Sequence, residues 1–203
     1  AVAGGKGGTG KSLVSNGLGM RLAEQGHDVI LVDTDYGGPN QHTYCGIRKP
    51  QTSLAQFFDE KLPLAEIVQH TKIERLRLIP GNINSHDTDN LNTMQKRKLF
   101  RHLKSLRADA VLLDLGAGTG YDPLDTFLPA DIPVGVIAPD TLAIENFYIF
   151  LKNLKYRQLG NTLSGLGLRD RAKDIWKNRR EYGIATTKEF VAHLRTLSPE
   201  FSE

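Results

Sequence analysis

Eight consecutive residues carry the densest chemistry in the chain: Gly5-Lys6-Gly7-Gly8-Thr9-Gly10-Lys11-Ser12. They satisfy G-x-x-x-x-G-K-[ST], the pattern of a phosphate-binding loop. Glycines without side chains let successive backbone N–H groups converge on phosphate oxygens. A helix starting near Gly10 aims the positive end of its dipole at the same anion. Lys11 is expected to reach the β- and γ-phosphates, and the Ser12 hydroxyl to ligate Mg²⁺. Lys6 is a second lysine in the same loop. Two cations this close repel each other unless polyanion is present. A solvated surface lysine is the plain alternative. The functional one is that Lys6 reaches the phosphate of a neighbouring subunit and offsets charge developing at the γ-phosphate.

Two further segments carry carboxylates at the ends of apolar runs. Asp33-Thr34-Asp35-Tyr36-Gly37-Gly38-Pro39-Asn40 follows Val29–Val32. Asp33 and Asp35 are expected to point to opposite sides, one toward a metal and one toward an attacking water. A capping or turn role is the alternative. The run Ala110–Leu115 contains Asp114 and leads into Gly116-Ala117-Gly118-Thr119. A strand-end aspartate after a phosphate loop binds Mg²⁺ directly or through water. The glycines behind it leave the loop free to respond to a γ-phosphate.

The elements that must position these groups follow an alternating pattern. Apolar runs at Ala1–Ala3, Val29–Val32, Leu76–Ile79, Ala110–Leu115 and Val134–Ala138 predict strands. Helix-period segments lie between them, the sequence form of a parallel α/β sheet. One helix face is predicted from Leu13, Leu18, Leu22 and Ala23. A second is predicted from Leu99, Phe100, Leu103 and Leu106, and a third from Ile144, Phe147, Tyr148, Leu151 and Leu154. Residues 169–182 read as a polar helix, and Phe190, Val191, Leu194 and Leu197 as a last amphipathic one. Gly160–Gly167 reads as a flexible loop. The fold class is therefore α/β, a mostly parallel central sheet flanked by helices on both faces, incomplete at both ends. Residues 1–203 are expected to form one P-loop ATPase domain, with 165–203 as a helical insertion or extension.

Composition narrows the classes. The 203 residues are 39% apolar and 24% charged, which suits a globular domain with a real core. No run approaches the ~20 apolar residues of a membrane-spanning helix, and no signal-peptide pattern opens the chain. A single cysteine, Cys45, rules out an intrachain disulfide framework and suits a reducing cytoplasm. The net charge is +3, unevenly spread. Residues 96–107 carry Lys96, Arg97, Lys98, Arg101, Lys104 and Arg107 with no acid, and residues 152–180 carry nine basic residues against Asp170 and Asp174. Such faces can meet DNA phosphates or anionic lipid; solvated helix faces are the plainer account.

Lys-Gly-Gly-Thr-Gly-Lys-Ser at 6–12 resembles the deviant Walker A motif of the MinD/ParA ATPases. The acidic segment resembles that family's D-x-D-x-G-x-N, with Asp33, Asp35 and Gly37 in place and the asparagine, Asn40, one position later, after Pro39. The resemblance implies ATP or ADP with Mg²⁺ as ligands and a homodimer in the ATP state. In it Lys6 acts across the dimer and Lys11 within its own subunit. It implies nucleotide contacts from Gly5, Gly7, Gly8, Thr9, Gly10, Lys11, Ser12, Leu13, Asn40 and Gly116. It places Ser12, Asp33 and Asp114 at the metal and makes Asp35 the residue that orients the hydrolytic water. The wording DYGGPNQHT at 35–43, RLIPG at 77–81, LLDLGAGT at 112–119 and IAPDTLAIENFYIFLK at 137–152 resembles the flagellar-number branch, the FlhG-like proteins. Slow, partner-stimulated hydrolysis in control of flagella is the function that branch implies. It implies a regulatory protein partner and a cytoplasmic location. The location becomes peripheral at the inner membrane if an amphipathic helix follows. Nucleoid DNA binding of the ParA type, a small-carboxylate ligase or kinase, and a non-hydrolysing scaffold are the alternatives. An iron–sulfur cluster, which needs paired cysteines, is not expected.

Overall fold

A computed structural model describes residues 1–81 and 91–198. The chain gathers into two compact units, 1–153 and 154–203, where the sequence reading takes 1–203 as one domain with an extension at 165–203.

The first unit is built on a six-stranded sheet. Its strands are β1 (Val2–Ala3), β2 (Val29–Thr34), β3 (Gln69–His70), β4 (Leu76–Ile79), β5 (Ala110–Leu115) and β6 (Val134–Gly135). The order is β3-β4-β2-β5-β1-β6. All pairings are parallel except β3 with β4. Each predicted strand is present, and the short antiparallel β3 is an addition. It is two residues, half-buried to exposed, with no apolar run to announce it. Every residue of β2 is buried, as expected for a central strand covered on both faces. The β2–β5 register sets Asp33 directly beside Asp114.

Helix α1 (Lys11–Glu24) packs on β1, β2, β4 and β5. Its buried residues are Lys11, Ser15, Asn16, Gly19 and Ala23; of the predicted face, Ala23 is buried and Leu22 packs against the core, whereas Leu13 and Leu18 turn outward. Leu13 is 63% exposed and Leu18 38%. The reason is close approach. A Cβ at Gly19 would sit 3.2 Å from Leu76 and 3.4 Å from Leu112, so small and polar side chains line the contact while the leucines flank it. Ala23 joins Val29, Leu31, Cys45, Leu76 and Leu78 in one core cluster.

Next along the first unit come α2 (Gln41–Tyr44), α3 (Leu54–Phe58), α4 (Leu64–Ile67) and α5 (Thr93–Leu103). Helix α5 starts on a capping box: Gln95 N–H donates to Asn92 Oδ1 and Asn92 N–H to Gln95 Oε1. It buries Leu99 and Leu103 as predicted. The basic cluster on this helix is not wholly solvated. Lys96 is buried, 3.6 Å from Asp125. Lys98 Nζ lies 4.5 Å from the Phe57 ring centroid.

Helix α6 (Tyr121–Phe127) precedes α7 (Thr141–Gly165). On α7 the buried residues are Ala143, Phe150 and Leu163, whereas the predicted Ile144, Tyr148 and Leu151 are exposed. The seat of α7 is fixed by glycines. The α7 backbone at Asn146 lies against Gly5, and the Phe147 ring lies against Gly135, where a Cβ would meet it. Helix α7 also runs through most of the segment predicted as a loop. Thr162 and Ser164 hydroxyls turn back onto the carbonyls of Gln158 and Gly160, at 3.1 and 2.8 Å. Leu163 supplies an apolar anchor for that turn.

In the second unit, α8 (Arg169–Lys177) and α9 (Thr187–Leu197) complete the described helices. Leu163, Ala172, Ile175, Ile184, Phe190 and Leu194 form a core of their own. The apolar stripe of α9 is thus spent on packing, and a Thr186–Glu189 capping box fixes its start. Among the described residues no helix is long and apolar enough to cross a membrane.

Candidate functional site

The site gathers where β1, β2 and β5 end and α1 begins, the carboxyl ends of parallel strands. The loop after β1 turns on two left-handed glycines, Gly8 at φ 77° and Gly10 at φ 93°. L-residues other than glycine rarely adopt that backbone, which explains these two positions. Gly5 has a separate reason, since a side chain there would strike the α7 backbone. Lys11 is only 6% exposed, and its Nζ donates to the Lys6 carbonyl at 3.2 Å, so the side chain is folded into the loop. Thr9 Oγ1 lies 3.4 Å from the same carbonyl. Ser12 follows, half-buried in the first turn of α1, and Leu13 beyond it turns outward. Gly7 faces Ala117 of the loop after β5, 3.8 Å from where its Cβ would be.

Lys6 points elsewhere. Its Nζ is 3.7 Å from Asp140, and both side chains are about half exposed. Exposed pairs of this kind contribute ~0–1 kcal/mol, so the contact holds the side chain only weakly.

Asp33 and Asp114 are both fully buried. Asp33 Oδ1 accepts from the Asp35 N–H at 3.1 Å, and Oδ2 from the N–H groups of Asn40 and Gln41 at 2.8 and 3.0 Å. One carboxylate thereby staples the acidic loop. Burial raises its pKa to about 7, with Asp114 and Asp35 adding to the rise and the backbone bonds to Gln41 and Asp35 opposing it. Asp114 Oδ2 accepts from Gln41 Nε2 at 2.8 Å. Asp114 Oδ1 lies 2.9 Å from Ser15 Oγ, which is also 3.0 Å from the Lys11 carbonyl. The hydroxyl has one proton, and the charged acceptor makes the stronger bond.

Asp35 does not separate from Asp33 by strand alternation. Residues two apart share a face of a strand, and β2 ends at Thr34. The turn directs Asp35 instead. Its Oδ1 accepts from Gly37 and Gly38 at 3.1 and 3.2 Å. The same oxygen would lie 3.1 Å from a Cβ on Gly116, so it faces the loop after β5. Asn40 stands at the N-cap position of α2 without a side-chain capping bond, and its Oδ1 is a buried acceptor without a partner among the described residues.

These residues fit a divalent cation held against phosphate. Two carboxylates in cross-strand register, one of them pushed to about 7, favour added positive charge. A second buried oxygen, Asn40 Oδ1, stands unpaired on the residue bonded to Asp33. Among the described residues no group of three or more His, Cys, Asp or Glu could hold a metal. Mg²⁺ takes one or two carboxylates and leaves its other positions to water and phosphate. Cys45 is buried, with its thiol pushed up to about 11 by burial, and is a packing residue.

Motif reasoning missed Ser15, Asn16 and Gln41. A signal existed, because Ser15 and Asn16 interrupt the helix where an apolar face was due. Gln41 left no such mark.

The family described as an AAA domain matches residues 1–159. The septum site-determining protein MinD of Synechocystis sp. is 29% identical over 147 residues, covering 71% of this chain and 54% of the relative. The flagellum site-determining protein YlxH of Helicobacter pylori is 29% identical over 155 residues, covering 75% of this chain and 52% of the relative. The chain spans about half the length of these curated relatives. The crystal structure of cobyrinic acid a,c-diamide synthase from Mycobacterium smegmatis, with a bound ATP analogue and magnesium, matches at a TM-score of 0.68. It shares 26% identity and covers 78% of this chain and 67% of that one. With the two-lysine loop, the paired strand-end carboxylates and the parallel sheet in place, the chain belongs to this AAA-domain family, within the MinD/ParA superfamily of P-loop ATPases.

Proposed function

We propose that this chain hydrolyses Mg²⁺–ATP slowly, pairs with a second copy in the ATP state, and uses that switch in the placement or number of flagella. The observation that carries the reading is the buried junction of the phosphate loop with both carboxylates. Ser15 and Gln41 tie the first turn of α1 to Asp114, and the cross-strand register sets Asp33 beside it. The ATP analogue and magnesium in the cobyrinic acid a,c-diamide synthase structure support the choice of ligand. YlxH, named for flagellum site determination, supports the biological output, as does the FlhG-like wording at 35–43 and 137–152.

The backbone N–H groups of Gly7, Gly8, Thr9 and Gly10, with those of Ser12 and Leu13, hold the phosphates. Lys11 exchanges the Lys6 carbonyl for phosphate oxygens. Ser12, Asp33 and Asp114 would hold the cation. When bound, Mg²⁺ neutralises charge on the β- and γ-phosphates. Asp35 accepts a hydrogen bond from the attacking water and so orients it, at the face it shares with Gly116. Gly116 offers its N–H to the γ-phosphate, and Asn40 lies at the dimer face. Lys6 leaves Asp140 and reaches the phosphate of the second copy. Loss of the γ-phosphate frees the loops after β2 and β5, and with them the dimer. A regulatory protein sets the rate, because assembly of the site is the controlled step.

Size-exclusion chromatography with light scattering tests this. A shift from monomer to dimer in Mg²⁺–ATP, but not in Mg²⁺–ADP, is expected. A monomer in both refutes the switch.

A second reading is ATP-dependent, sequence-independent DNA binding. It is favoured by Arg97, Arg101 and Lys104, exposed at helical spacing along α5 and its C-cap. Retention on DNA that falls steeply with salt would support it.

A further inference from the structure

Gln41 joins both carboxylates of the site, and neither the loop pattern nor D-x-D-x-G-x-N requires it. The residue is fully buried. Its backbone N–H donates to Asp33 Oδ2 at 3.0 Å. Its side-chain Nε2 donates to Asp114 Oδ2 and to the Ser12 carbonyl, both at 2.8 Å. Its Oε1 accepts from Asn16 Nδ2 at 3.4 Å. Both amide protons and the amide oxygen are therefore engaged. The orientation of the amide follows from chemistry: turned over, its oxygen would face a carboxylate and a carbonyl, two acceptors.

Asp33 and Asp114 are cross-strand neighbours and would repel each other when both are ionised. Gln41 offers an N–H to one oxygen of each. It also ties them to the start of α2 and to the first turn of α1 at Ser12. We propose that Gln41 is a positioning residue of the metal site: its amide fixes the Asp114 carboxylate in the orientation that Mg²⁺ needs and locks it to Ser12 and to the loop stapled by Asp33. Resting on the nucleotide reading above, this assigns Gln41 to the cation-dependent part of nucleotide affinity. The part supplied by the loop amides and Lys11 does not pass through it.

An apolar side chain at 41 removes the Gln41 amide from Asp114 Oδ2 and from the Ser12 carbonyl, and leaves the Asp114 carboxylate held through Oδ1 by Ser15. A charge-assisted hydrogen bond of this kind shifts an equilibrium about tenfold or more when lost.

The test measures the dissociation constant of a fluorescent ADP analogue in Mg²⁺ and in EDTA, for the wild type and Gln41→Leu. Expected is a Mg²⁺ enhancement that drops about tenfold in Gln41→Leu, with affinity in EDTA within about twofold of wild type. An unchanged enhancement overturns the proposal. So does an equal loss in Mg²⁺ and EDTA, which marks a residue that merely supports the fold. Gln41→Glu keeps the size of the side chain and sets a third carboxylate beside the pair. Its melting temperature in EDTA should fall, and Mg²⁺ alone should restore it by more than it raises the wild type. An equal Mg²⁺ response in both proteins overturns the proposal even if Gln41→Leu does not fold. If the wild type itself shows no Mg²⁺ enhancement, the nucleotide reading falls, and this inference with it. A wild-type enhancement that both variants retain sinks only the role of Gln41.

Discussion

Raising the pH of the metal-free chain from about 5.5 to about 7.5 removes a proton from Asp33, and the stability of the first unit should register it. The carboxyl is fully buried, and burial lifts its pKa from 3.8 to about 7. The folded state therefore keeps a proton that the unfolded chain has already lost. For a folded pKa raised above the unfolded one, the contribution to stability is fully present below the unfolded pKa. It declines as pH rises and is gone above the folded pKa. Between pH ~5.5 and ~7.5 this group alone should withdraw about 2 kcal/mol. Urea unfolding in EDTA at the two pH values reads it, taken as wild type minus Asp33→Asn so that other titrating groups cancel. Saturating Mg²⁺–ADP should abolish the slope, because a nearby cation holds Asp33 ionised at both pH values. A wild-type-minus-variant difference that stays flat in EDTA, or grows with pH, would refute the account of Asp33.

Two other substitutions probe separate parts of the structure. Gly116→Ala puts a Cβ 3.1 Å from Asp35 Oδ1, tighter than an ordinary contact, so Asp35 must shift. Turnover should fall about tenfold or more while nucleotide affinity stays within about twofold; a matching loss of affinity would place the effect on the loop instead. Phe190→Ala removes a ring that packs edge-on against Trp176 at a centroid distance of 5.0 Å in the core of the second unit. It should destabilise that unit by about 3 kcal/mol, and hydrogen exchange over residues 169–197 should speed up accordingly. Unchanged exchange there would mean the cluster is not a stabilising core.

Much of this architecture was readable from residue order, because strands and loop motifs announce themselves locally. The runs at Val29–Val32, Leu76–Ile79 and Ala110–Leu115 are apolar whichever way they pair, and the two-lysine loop needs no tertiary information. What failed was the choice of helix face. On α1 the sheet comes so close that Gly19 and Ser15, not Leu13 and Leu18, fill the contact. On α7 the helix marked by Ile144, Phe147, Tyr148, Leu151 and Leu154 is present, but its seat depends on Gly5 and Gly135, distant in sequence, so Ile144 and Tyr148 lie exposed. Gly160–Gly167 reads as a loop because glycine and hydroxyl residues disfavour a helix interior. Back-bonding and the buried Leu163 override that preference. The carboxylates were legible but their bonding was not. Asp33 staples its own loop, and Gln41 bridges to Asp114, through contacts that only the folded register creates.

Turnover by Lys6→Ala bears most directly on the shared use of a triphosphate by two copies. Lys6 rests against Asp140 across a weak, half-exposed contact and takes no part in the fold of its own loop through its side chain. The variant should bind Mg²⁺–ATP as a monomer with wild-type affinity and hydrolyse none of it. Normal hydrolysis by Lys6→Ala would contradict the cross-subunit mechanism outright.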